Sequence, residues 1–158
     1  MEKFLAEDKA IKAVVGPASI ATLQTGARVS AKNTKRIAFL VNVGAGTSTT
    51  AHSFVLKQHD AASSGNSYDL AVANPYFHKV GVATKFTKVE VNTALATYPL
   101  HSLLADSASL VVFEVLSEDL RSDCAWVSLD VLAAGGTQVG AVAALVDHDF
   151  KPAYEQTV

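Results

Sequence analysis

Hydrophobic and polar positions alternate along this chain in short runs. Between 53 and 58, Phe54, Leu56 and Gln58 fall on one face and Ser53, Val55 and Lys57 on the other, the period of a strand. Residues 84–92 (TKFTKVEVN) alternate in the same way, with Thr87, Val89 and Val91 opposite Phe86, Lys88 and Glu90. Residues 124–132 place Ala125, Val127, Leu129 and Val131 inward and Ser128 and Asp130 outward. Two further runs, 37–43 and 109–116 (SLVVFEVL), are mostly apolar, and the second, apolar on both faces, reads as a central strand covered on each side. A short strand is expected at 26–30, and a strand of small residues at 137–146, where another backbone packs close.

Turn signals separate these runs, notably the 61–67 cluster (AASSGNS) and Asn74-Pro75. Many short strands with frequent turns and little helical periodicity predict an all-β fold, an antiparallel β-sandwich or barrel. At most one or two short helical turns are expected. One is at Ser117-Glu118-Asp119-Leu120, where an N-cap type residue precedes two acids. Residues 93–105 fit either a broken helix or an excursion between strands. The ends follow neither period, so the chain divides into an N-terminal arm (1–13), a single β domain (14–148) and a C-terminal tail (149–158).

The stretch 37–55 (IAFLVNVGAGTSTTAHSFV) resembles a phosphate loop, with Gly44 and Gly46 followed by hydroxyl residues. A phosphate cradle needs the loop to open a helix, and a P-loop needs a Lys after its second glycine. Neither condition is met, because strand periodicity resumes at Ser53. The expectation is a Gly/Thr/Ser-rich β-hairpin.

Length and composition narrow the classes further. A chain of 158 residues with 49% hydrophobic and 18% charged residues is long enough for one domain with a real core, and too apolar for disorder throughout. Thirteen basic against fifteen acidic residues give a net charge of −2, which offers no basic face for nucleic acid. The densest basic group, Lys32, Lys35 and Arg36, borders a strand. The single cysteine, Cys124, allows no intrachain disulfide and reads as a small buried hydrophobe. The acidic N-terminus does not resemble a signal peptide, and no apolar run approaches a membrane span. Synthesis in a cytoplasm without membrane association is expected.

Candidate chemistry is sparse. His59-Asp60 and Asp147-His148-Asp149 are the histidine and carboxylate groupings, but strand neighbours point to opposite faces and too few donors converge to hold a cation. No G-x-S-x-G elbow or catalytic cysteine signature occurs. Glu114, a carboxylate inside an apolar strand, is expected to pair with a cross-strand Lys or Arg. Trp126, Tyr76, Phe77 and Tyr98 are candidates for a sugar-binding platform, with Trp126 filling core or interface as the alternative. Neither an enzyme nor a cofactor or metal site is expected.

A resemblance adds to this reading. Residues 29–44 (VSAKNTKRIAFLVNVG) are similar to the V-S-x-K-N-y-x-R-V-A-F-V-V opening of small tailed-phage virion proteins. Residues 108–120 (ASLVVFEVLSEDL) resemble their L-V-V-I-E-x-x-A-E-E-L-D stretch. Residues 124–140 match their final alternating hairpin, and 150–154 (FKPAY) a short tail; 74–107 has no counterpart. The resemblance implies a β-rich virion protein, made in the host cytoplasm, of the capsid cement or decoration type. It would bind the assembled major capsid protein and copies of itself. Neck, head-completion or tail-tube components and a glycan-binding β-sandwich are the alternatives. Interface residues are expected at the polar ends, where large apolar side chains stand out: Phe4 and Leu5 in the arm, Phe150 and Tyr154 in the tail, the alternative being that they pin the ends onto their own domain.

Overall fold

The computed structural model describes residues 10–47, 53–99, 107–133 and 136–148. Among them eleven strands occur: β1 (Ala10–Ser19), β2 (Val29–Ser30), β3 (Thr34–Val43), β4 (Ser53–His59), β5 (Ser67–Asp69), β6 (Tyr76–Val80), β7 (Thr87–Val89), β8 (Thr97–Pro99), β9 (Ser109–Leu116), β10 (Trp126–Val131) and β11 (Val139–His148). They form two antiparallel sheets in a sandwich-like arrangement. The larger sheet runs β1-β11-β3-β9-β6-β7 and the smaller β2-β10-β4-β5, with β8 also pairing with β4.

The alternation read from the sequence decides which side chains meet between the sheets. Ile37, Phe39, Val41 and Val43 of β3, Val111, Phe113 and Val115 of β9, and Val142, Ala144 and Val146 of β11 are buried on one side. Phe54 and Leu56 of β4 and Val127, Leu129 and Val131 of β10 close the core from the other. Each such aliphatic or aromatic side chain contributes about 1.5–3 kcal/mol relative to exposure. Phe113 sits at the centre of an aromatic group with ring centroids 5.0 Å from Tyr98, 5.5 Å from Phe54 and 5.5 Å from Tyr76.

Several expectations are corrected here. The GAGTST segment does not close a hairpin, since β3 lies in the larger sheet and β4 in the smaller. The described part of that segment is occupied by its own chain. The Gly44 amide donates to the Val139 carbonyl at 2.8 Å, Gln138 Nε2 donates to the Gly44 carbonyl at 3.1 Å, and Thr47 exchanges bonds with Thr137. The supposed final hairpin is likewise an arch between sheets, from β10 in one to β11 in the other. The expected arm of 1–13 overlaps β1, which begins at Ala10 and forms an edge of the larger sheet. Pro17 is tolerated there because an edge strand has N–H groups without ladder partners, and the register slips on both sides of Val15. Within 93–105, β8 resolves the choice in favour of strand; residues 100–106 lie outside the described residues.

The short turn at Ser117–Asp119 is present, but Ser117 is not its cap. Instead, the Leu116 amide donates to the Asp119 carboxylate at 2.8 Å, and Asn74 Nδ2 donates to the same oxygen at 2.8 Å. Asn33 takes a positive φ of 54° between β2 and β3. An Asn in the left-handed region is the physical content of the K-N pair, since few other side chains accept that backbone.

Candidate interaction surface

A sandwich needs one apolar face per sheet. The larger sheet has two. On its outer side, paired positions align in rows across the strands: Ile11, Leu145, Ala38 and Glu114; then Ala13, Ala143, Leu40, Val112, Phe77 and Lys88; then Ala141, Asn42, Leu110 and Lys79. All but Ile11, Ala13, Asn42 and Lys88 are about half-buried, and those four are exposed. The apolar rows are therefore wetted rather than covered. This corrects the expectation that β9 is enclosed on both sides: Val111, Phe113 and Val115 face the core, while Leu110, Val112 and Leu116 do not.

Among the described residues, charge lies at the ends of these rows and strands, with Lys88 closing the middle row and Lys35 beside Arg36 and Asp147. At one end Arg36 lies 3.6 Å from Glu114 and 3.5 Å from Asp147. Glu114 thus pairs with a cross-strand arginine, as its place on β9 led one to expect. At the other end Lys79 stands over the Phe86 ring, 5.3 Å from its centroid. A shallow groove of about 420 Å³ lies along this end, lined by Leu40, Asn42, Lys79, Leu110, Ala141 and Ala143.

The outer face of the smaller sheet is built differently. Ser128 and Asp130 point outward, as the alternation indicated, yet both are buried. Asp130 accepts the Gly26 amide at 2.9 Å and pairs with Lys57 Nζ at 2.9 Å. His59 is held between Ser67 Oγ at 2.7 Å from Nδ1 and Ser128 Oγ at 2.9 Å from Nε2. A neutral ring protonated at Nε2 satisfies both bonds, because the Ser67 hydroxyl can then donate to Nδ1. Burial, reinforced by Arg28, holds the His59 pKa below its ordinary value against the opposing pull of Asp130. Arg28 completes the knot by donating to the carbonyls of Ala61 at 2.7 Å and Ser64 at 2.6 Å and to Ser67 Oγ at 3.2 Å. Serine, histidine and aspartate do meet here, but Asp130 turns to Lys57 and Gly26 rather than to the imidazole. The group stitches β5, β4 and β10 together.

The remaining candidates separate. Tyr98 is buried in the aromatic core, its hydroxyl donates to the Val72 carbonyl at 3.1 Å, and burial with help from Asp119 pushes its pKa up to about 12. Tyr76 faces the same core, Phe77 the outer side of the larger sheet, and Trp126 the outer side of the smaller one. These four rings form no common platform. Cys124 is buried, and desolvation raises its thiol pKa. Asp60 accepts two bonds from Asn66, both at 2.9 Å, and so caps the 61–66 loop. Asp147 belongs to the Arg36 pair, and Asp149 lies outside the described residues. Among the described residues no three His, Cys, Asp or Glu side chains gather around a point where a metal ion would sit. Phe4, Leu5, Phe150 and Tyr154 also lie outside the described residues.

No family model matches the sequence, and no curated protein does. A similar solved structure is the crystal structure of SPBc2 prophage-derived protein YomS, at 11% identity over 89% of this chain and 94% of that chain, with a TM-score of 0.47.

Proposed function

We propose that this chain is a structural protein of a tailed-phage virion, specifically a cement or decoration protein bound to the assembled major capsid shell. The observation that carries the reading is the second apolar face of the larger sheet. It has no use inside the sandwich, and an apolar surface with charge at its rim is the composition of a protein contact. The sequence resemblance supports the reading from another direction. Its segments fall on strands of both sheets: 29–44 on β2, the Asn33 turn and β3; 108–120 on β9 and the turn after it; 124–140 on β10 and the start of β11. The work of such a protein is contact rather than catalysis. Its partners are the major capsid protein and its own copies, and Phe4, Leu5, Phe150 and Tyr154 are the side chains assigned to the shell.

The test is the copy number of this protein in purified particles, by quantitative mass spectrometry against the major shell protein. A ratio near parity is expected. A small fixed number per particle moves the protein to the neck or tail, and absence from particles overturns a virion role.

A further inference from the structure

We infer that residues 60–69, the loop after β4 together with β5, form an acid-released flap: protonation of His59 detaches the flap from β4 and β10 while the rest of the sandwich stays folded. Little apolar surface holds this segment down. Of its residues Asp60, Ala61 and Tyr68 are half-buried, and 62–67 and Asp69 are exposed. Its ladder with β4 has three pairs, Lys57 with Asp69, Gln58 with Tyr68 and His59 with Ser67. The other ties to the sandwich are polar or cationic. Arg28 donates to the Ala61 and Ser64 carbonyls and to Ser67 Oγ, His59 binds Ser67 Oγ, and Arg121 stands over the Tyr68 ring, 4.1 Å from its centroid. A segment with so few buried apolar contacts opens locally at a fraction of the global unfolding free energy. Both of its ends are fixed: His59 is buried, and so is Leu70, whose amide donates to the Leu56 carbonyl at 2.9 Å.

His59 joins the flap to the sheet because its two ring nitrogens bind one serine on each side, Ser67 on β5 and Ser128 on β10. A neutral imidazole offers one donor and one acceptor, and both bonds form. A protonated ring donates from both nitrogens. Nδ1 then faces a hydroxyl oxygen that already accepts from Arg28, and the Ser67 proton loses its acceptor. The imidazolium also becomes a third cation beside Arg28 and Lys57. The surrounding acids are engaged elsewhere. Asp130 is held by Lys57 and the Gly26 amide, Asp60 by Asn66, and Asp123 by Arg121; Asp69 stands opposite Lys57 in register. Cys124, in the segment before β10, has its thiol pKa raised by desolvation and adds no charge. Burial, then Arg28, keep the closed ring's pKa below 6.5, and opening the flap relieves both. Closure is therefore at full strength above pH 6.5 and weakens as pH falls below it, until the lowered pKa of the closed ring is reached.

The experiment is amide hydrogen exchange of the full-length protein, resolved by NMR from neutrality to mild acid, with each rate divided by the intrinsic rate at that pH. Protection of the amides shared between β4 and β5 is expected to fall by up to about tenfold per pH unit below 6.5, while β3, β9 and β11 keep theirs. His59→Gln retains a donor and an acceptor but no titrating ring, and its flap should hold the same protection across the range. Asp60→Asn and Asp69→Asn should keep the wild-type response. Titration of the His59 imidazole signals in wild type supplies a readout that no variant's folding affects, and proton uptake by the ring should track the opening. Protection that does not change with pH overturns the flap, and so does a parallel loss in every strand, which is global unfolding. A response that survives His59→Gln or disappears in either aspartate variant overturns His59 as the trigger. So does a ring that stays neutral while the flap opens.

Discussion

Asp130 is the clearest case in which one residue's chemistry departs from its place in the pattern. Alternation puts it on the outer face, and that is correct, but its side chain is only 3% exposed. The reason lies far away in sequence, where the Gly26 backbone comes so close to β10 that a Cβ there would stand 2.9 Å from the Leu129 carbonyl carbon. Asp130 satisfies the amide that this approach desolvates and also holds Lys57. Asp130→Ala leaves both groups without their partner and should lower the unfolding free energy by about 2–3 kcal/mol in urea titrations, while Asp130→Asn, which keeps an acceptor for Gly26, should lose about 1 kcal/mol. His59 makes the same knot sensitive to pH. Its folded pKa lies below the ordinary value of 6.5, so above pH 6.5 the ring is neutral in both states and contributes no slope. Below 6.5 the unfolded chain takes up a proton that the folded ring refuses, and stability falls until the lowered folded pKa is reached. Arg28 and Lys57 deepen this loss, and Asp130 and Asp60 moderate it. Denaturant midpoints measured between neutrality and mild acid should therefore decline, and His59→Gln should flatten that part of the profile. Equal slopes in the two proteins would remove His59 as the cause.

At the scale of the element, each strand of the larger sheet is two different surfaces. Phe113 and Val112 are neighbours on β9, one at the centre of the aromatic core and the other on the wetted outer row. Phe113→Ala removes ring contacts to Phe54, Tyr76 and Tyr98 and should cost about 3–5 kcal/mol, whereas Val112→Thr, nearly the same in shape, should cost less than about 1 kcal/mol in dilute protein. Thermal melts of the two variants check this, and similar losses would mean that the outer row is as deeply packed as the core. The difference also marks what could be read from the chain. Strand periods at 53–58, 84–92 and 124–132 located β4, β7 and β10, and the apolar runs located β3 and β9, because side-chain alternation is a local property. Whether a strand pairs with its sequence neighbour is not local. The connections after β3 and after β10 cross between sheets, and the glycine and hydroxyl residues that read as hairpin turns serve instead to let the 44–47 segment lie against 137–139. The apolar outer face was legible in one strand, as the two-sided SLVVFEVL run. It became a surface only when register set Leu40 beside Val112 and Val112 beside Phe77. β1 escaped notice because its Gly16-Pro17 irregularity breaks the alternation.

At the scale of the molecule, the two ends of the described chain are partners: Ala10 pairs with Val146, so β1 and β11 form an antiparallel pair that no hairpin joins. A linker of about three to five residues from His148 to Ala10 would supply that hairpin and replace 1–9 and 149–158. New ends opened between Ala62 and Ser63 leave the Ala61 and Ser64 carbonyls in place for Arg28 and lie on the smaller sheet, away from the outer face of the larger one. This permutant tests the terminal side chains apart from the sandwich, because it keeps the whole apolar face and lacks Phe4, Leu5, Phe150 and Tyr154. It is expected to fold with a stability within about 1–2 kcal/mol of wild type, since every ladder is retained and an exposed loop tolerates new ends. It should fail to remain on purified shells after sedimentation. Retention on shells at the wild-type ratio would mean that the terminal side chains are not the shell contact and that a surface of the sandwich itself is. Loss of the fold would instead show that 1–9 or 149–158 completes the domain.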